Sequence, residues 1–113
     1  MEEITIRMFR DAQGRRPFPE WLGSLRDKQA IARIQIRLAR LRSGNFGDCH
    51  GVGGGVQELR VFLRPGYRVY FALIDPRTVL LLNGGTKDTQ RSDIAQAKEW
   101  FDEYRAQGGE AGD

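Results

Sequence analysis

The 113-residue chain has one cysteine and one histidine. Cys49 alone excludes an internal disulfide, and His50 beside it does not make a zinc-ligand set. The carboxylates Glu58, Asp75, Asp88 and Asp93 have no spacing expected of a metal site either. No apolar run approaches the roughly 20 residues that a membrane-spanning helix needs. The opening stretch MEEITIRMF lacks the character of a secretory leader, so the cytoplasm is the expected compartment. The glycines of 44–55 do not precede a helix at phosphate-cradle spacing, so no nucleotide loop is assigned. There is no internal repeat and no sign of a second domain.

What is present is an ordinary globular composition. Hydrophobic residues make up 40%, enough for a single core at this length. The net charge of +3 and a pI near 9.4 are a mild basic bias. Such a bias permits a nucleic acid or an acidic partner without requiring one.

Ile4, Ile6 and Met8 alternate with Thr5 and Arg7, which predicts an opening strand. Residues 11–16 read as a polar loop. Pro19 fits a first helical position, so a short helix over 20–25 should bury Trp21, Leu22 and Leu25. Asp27 can cap a second helix over about 28–42. Its core stripe is Ile31, Ile34, Leu38 and Leu41. Arg33, Arg37 and Arg40 share another face, either a solvated surface or a contact for an acidic segment or RNA. Residues 44–55 read as a flexible loop. Cys49 and His50 lie in it, and adjacency does not supply the geometry of a Cys–His catalytic pair; both are expected to be incidental.

The densest mix of apolar and basic residues is Val56 to Ile74, VQELRVFLRPGYRVYFALI. It predicts a hairpin about Pro65-Gly66. A three-residue loop, Arg64 to Gly66, sets Leu63 opposite Tyr67 and keeps every aliphatic position on one face. A two-residue turn suits Pro-Gly chemistry better, but a one-residue slip places charge on the core face, which costs more. The other face then carries Arg60, Phe62, Arg68 and Tyr70, a basic and aromatic patch suited to RNA. After a turn at 75–77, Thr78 to Asn83 is apolar on both faces, as a central strand should be. Asp88 or Thr89 caps a last helix to about Ala106, buried along Ile94, Ala97, Trp100, Phe101 and Tyr104. The expected class is α+β: a small, twisted, mainly antiparallel sheet, made of an N-terminal strand and a three-strand meander, with two N-terminal helices and a C-terminal one. One domain over 1–105 and a disordered tail over 106–113 complete it.

Several stretches together carry a family resemblance. They are Val56-Gln57-Glu58-Leu59-Arg60, Pro65-Gly66-Tyr67-Arg68-Val69-Tyr70-Phe71, Leu81 through Gln90, and Asp93-Ile94 with Ala97. In their order and spacing they resemble the RelE/ParE superfamily of toxins from bacterial toxin–antitoxin modules. Trp21-Leu22 and Gly44-Asn45-Phe46-Gly47-Asp48 place the resemblance nearest to the HigB-like, phage-derived addiction module killer branch. The resemblance spans nearly all of the chain. It implies a RelE-like fold, no cofactor, and a cognate antitoxin, often of helix-turn-helix type. It also implies either cleavage of mRNA on the ribosome or, as in the ParE arm, inhibition of DNA gyrase. A non-catalytic relative that binds nucleic acid or an antitoxin-like partner is a third possibility.

Cleavage by attack of the 2′-hydroxyl on its own phosphate needs a base, charge stabilisation and an acid. The sheet-face argument and the resemblance together assign Arg60 and Arg68 to the phosphate, because a guanidinium fork matches it. Lys87 is the acid/base or a further phosphate contact. Phe62 or Tyr70 would stack on a base. Arg64, Arg91, Arg33, Arg37 and Arg40 extend the expected RNA surface. Plainer roles stay open: Arg60 paired with Glu58, Arg68 as a solvated edge residue, Lys87 as a turn residue, Tyr67 and Tyr70 as packing. Several ribosome-dependent relatives carry a tyrosine or histidine near an end of the final helix. Here Asp88 to Ile94 has neither, so Lys87 alone, or groups of the ribosome, would have to supply the acid.

Overall fold

The computed structural model describes residues 3–108. Its elements are β1 (Thr5–Met8), α1 (Pro17–Ser24), α2 (Lys28–Arg42), β2 (Cys49–Gly53), β3 (Val56–Val61), β4 (Tyr67–Asp75), β5 (Thr78–Thr86), a 3₁₀ turn (Lys87–Thr89) and α3 (Gln90–Ala106). The fold is α+β: one five-stranded mixed sheet in the order β1-β5-β4-β3-β2, with three α-helices. β1 runs parallel to β5, and β2 to β5 form an antiparallel meander.

Two expectations need correction. The stretch 44–55 is not wholly loop, because Cys49–Gly53 is an edge strand. Gly53 pairs with Val56, leaving Gly54-Gly55 as the connection, and both have positive φ (63° and 84°). Two such residues are what a tight hairpin turn matched to strand twist requires. The meander therefore has four strands rather than three. α1 also begins two residues before Pro19, with Pro17 in its first turn and Phe18 fully buried. Of the proposed 106–113 tail, Ala106 ends α3, and 109–113 lie outside the described residues.

The β3–β4 register differs from the expected one by two residues. Val61 pairs with Tyr67 and Arg60 with Arg68, so the loop runs from Phe62 to Gly66. A shift of two leaves every side chain on its expected face, because strand parity is preserved. The aliphatic face is core: Leu59, Val61, Val69 and Phe71 pack with Phe18, Ile34 and Leu41. Asp27 caps α2 by accepting from the backbone N–H groups of Gln29 and Ala30. The other face is not an open RNA platform. α3 covers most of it, so Tyr70, Ala72, Leu80 and Leu82 pack with Ala97, Phe101 and Tyr104.

Adjacent glycines let both layers close on the sheet. A Cβ on Gly84 would lie 2.3 Å from the Trp21 ring on the α1 side. On Gly85 it would lie 1.8 Å from the Asp93 carboxylate on the α3 side. Neither approach tolerates a methyl group. Gly84→Ala is expected to destabilise the chain by about 1–3 kcal/mol through overpacking against Trp21. Gly23→Ala, in open space on α1, should be neutral or stabilising by up to ~1 kcal/mol. Urea denaturation of the two variants checks this pair.

Candidate functional site

Glu58 is fully buried in the middle of β3. Strand pairing places His50 of β2 on one side of it and Tyr70 of β4 on the other. A carboxylate taken out of water needs compensating donors, and four elements bring them. The Tyr70 hydroxyl donates to Oε2 at 3.0 Å, and Gln90 Nε2, from the first turn of α3, donates to the same oxygen at 2.8 Å. His50 Nε2 lies 3.1 Å from Oε1. Arg68 Nε is 3.7 Å from Oε2 and Arg60 Nε 3.9 Å from Oε1, distances of ion pairs rather than hydrogen bonds.

The histidine tautomer follows from its neighbours. Arg60 Nη2 lies 3.1 Å from His50 Nδ1. A guanidinium can only donate, so Nδ1 is the acceptor. The ring proton then sits on Nε2, the nitrogen that lies 3.1 Å from Glu58 Oε1 without the alignment of a hydrogen bond. His50 is thus a member of the cluster and not incidental. Its signal was the Gly54-Gly55 turn, which announces a strand before it. A bulge between Gly51 and Gly53 then sets His50, rather than Gly51, across from Glu58.

Arg60, Arg68 and Lys87 line one cleft of about 290 Å³ at the loop end of β3 and β4, together with Phe62, Gly66 and Tyr67. Arg68 is held with only 11% of its side chain exposed, whereas Arg60 is 38% exposed and also 3.8 Å from Asp48 Oδ2. The Lys87 backbone N–H donates to the Gly66 carbonyl, which fixes the 3₁₀ turn against the β3–β4 loop. Phe62, at 70% exposure, stands between this cleft and a second groove of about 330 Å³ lined by Arg33, Ile36, Arg37 and Arg40. Arg64 is exposed in the same loop, and Arg91 is exposed in the first turn of α3.

Three of the expected RNA contacts are otherwise engaged. Tyr70 cannot stack on a base, because its ring is core and its hydroxyl is committed to Glu58. Burial first, then the charge of Glu58, pushes that hydroxyl far above its ordinary pKa. Arg37 donates to the carbonyls of Arg60 and Phe46 (3.1 Å for Phe46), and Arg33 to that of Phe62 (3.2 Å). These two side chains tie α2 to the strand ends. Arg40 stays exposed beside them. Burial also raises Asp93, opposed by the hydrogen bond from Thr89.

No protein-family profile matches the chain. It is 47% identical over 81 residues to an uncharacterized protein of Haemophilus influenzae, a match that covers 72% of this chain and 82% of that protein. The chain belongs to the same family as that protein.

Removing one donor from a buried carboxylate should cost about 1–3 kcal/mol. Tyr70→Phe is expected to lower the unfolding free energy by that amount, read from its denaturant midpoint. Cys49 offers a second check. Its thiol donates to the Phe46 carbonyl at 3.1 Å, and burial pushes its pKa from 9.0 to about 11. The thiolate is the reactive form, so two pKa units make iodoacetamide labelling at pH 8 about 100-fold slower in the folded than in the unfolded protein.

Proposed function

We propose that this member of the Haemophilus protein's family is a RelE/ParE-type toxin, HigB-like, that cuts mRNA at the ribosome. The observation that carries this reading is the convergence of Arg60, Arg68 and Lys87 on one cleft. The sequence pattern assigns the same three residues to phosphate chemistry. Two guanidiniums and an ammonium line the cleft, and the carboxylates near them, Glu58 and Asp48, lie within ion-pair distance of the guanidiniums rather than of the ammonium, so the cleft favours an anionic guest. Metal is not required for this chemistry. The 2′-oxygen attacks phosphorus, the P–O5′ bond breaks, and the products are a 2′,3′-cyclic phosphate and a 5′-hydroxyl.

Roles follow from position. Arg68, anchored by Glu58 and by its Nη1 donation to the Gly66 carbonyl at 3.4 Å, is the fixed arm of the phosphate clamp. Arg60, more exposed and held only by ion pairs and His50, is the mobile arm. Lys87 protonates the departing 5′-oxygen. Phe62, exposed at the mouth, provides a stacking surface for a base. The sheet between α1–α2 and α3 is read as a RelE-like fold. The protein would act in the cytoplasm, and a small antitoxin, of helix-turn-helix type, would silence it.

Lys87 is exposed and lacks an ion pair among the described residues, so its replacement leaves the core intact. Inducible expression of wild type and Lys87→Ala, with transcripts mapped by primer extension, tests the reading. Cuts within translated codons are expected for wild type. About 10²–10⁴-fold less cleavage is expected for the variant at equal protein level. Growth arrest with intact transcripts would sink the nuclease reading and turn attention to gyrase.

A further inference from the structure

We propose that His50 is the general base of the cleavage, positioned by Glu58 and unmasked when Arg60 moves onto the phosphate. The inference rests on the nuclease reading and supplies the group which that reading leaves open.

The cleavage needs a lone pair beside the 2′-hydroxyl, and the neighbouring groups compete poorly for that role. Glu58 is fully buried; its Oε2 already takes donors from Tyr70 and Gln90, and its Oε1 is closed off against His50 Nε2 at 3.1 Å. The Tyr70 hydroxyl is buried beneath it. The Cys49 thiol turns the other way, onto the Phe46 carbonyl and the α2-side core. Lys87 is kept for the leaving group. His50 has 41% of its side chain exposed and carries its lone pair on Nδ1. Among the described residues the partner of that lone pair is Arg60, a side chain that also lines the cleft. A phosphate entering the cleft offers Arg60 a stronger, bidentate partner than a neutral ring nitrogen. As the guanidinium turns to it, Nδ1 is uncovered beside a side chain that lines the cleft.

Glu58 then acts as a positioning residue. Its charge, 3.1 Å from Nε2, stabilises the imidazolium, while the Arg60 contact on Nδ1 sets the tautomer of the resting ring. The step balances. The 2′-O–H proton passes to His50 Nδ1 as the 2′-O–P bond forms. The P–O5′ bond breaks and the 5′-oxygen takes a proton from the Lys87 ammonium. His50 returns its proton to water, and Lys87 regains one from it.

The charged and titratable groups around the ring are Glu58 and Arg60 on β3, and Asp48 acting through Arg60. Arg68 and Tyr70 on β4, and the amide of Gln90 on α3, reach it through Glu58. None of these is another histidine.

The test uses the whole chain with a short mRNA on programmed ribosomes. His50→Gln keeps an N–H for Glu58. It should bind an mRNA carrying a 2′-deoxy nucleotide at the cut as tightly as wild type. It should cut the all-ribose mRNA about 10²–10⁴-fold more slowly and lose the acid limb of the pH profile. Wild type that cuts while His50→Gln cuts equally fast, with an unchanged profile, overturns the inference and leaves the nuclease reading standing. Wild type that never cuts removes both. A measurement on wild type alone guards against a variant that fails to fold. The lone histidine gives one pair of ring ¹⁵N resonances, and Nδ1 must be the unprotonated nitrogen of the neutral ring. A proton on Nδ1 would overturn the assignment.

Discussion

The rest of the structure depends on compensating a carboxyl group buried where water does not reach. Glu58 lies at the centre of β3, and burying a lone charge there would cost several kcal/mol. Its compensating partners come from β2, β3, β4 and α3: His50, Arg60, Arg68, Tyr70 and Gln90. Elements far apart in sequence must therefore meet around one side chain. Such a cluster is not a cheap source of stability, because an apolar residue of similar volume could fill the space as well. Its value lies in orientation. The same contacts that neutralise Glu58 aim two guanidiniums at a cleft and select one histidine tautomer.

Covering the sheet on both faces follows from the same economy of space. α3 can bring Gln90 to Glu58 only because Gly85 yields room to Asp93, and α1 can lay Trp21 against β5 only because Gly84 has no side chain. Arg37 and Arg33 serve the other layer. They satisfy carbonyls at the ends of the strands, which fixes the approach to β2 and the position of Phe62. Basic residues that looked like an external surface are in part internal ties. Arg40, Arg64 and Arg91 stay exposed, whereas Arg60, Arg68 and Lys87 gather along one cleft.

Apolar periodicity alone determined much of this protein. The α2 stripe, the buried side of α3, β5 as an interior strand and the two faces of the β3–β4 hairpin follow from spacings of 3.6 and 2. These are local rules, so they survived a wrong register: an error of two residues leaves strand parity untouched. Arg60 and Arg68 were placed together for that reason, and Lys87 because it leaves the neighbouring strand at the same end.

Tertiary structure alone decided what lies on top of each face and what stands opposite a given residue. That α3 would bury Tyr70 could not be read from the alternation, since an amphipathic strand looks the same whether its second face meets a helix or water. That His50 would face Glu58 depended on a one-residue bulge at the β2–β3 turn, and shifts of one invert a strand's faces. Burial of Glu58 itself depended on donors from three other elements, at separations over which sequence pattern carries no information. Periodicity is a property of one segment. A charge network is a property of several segments once they have met.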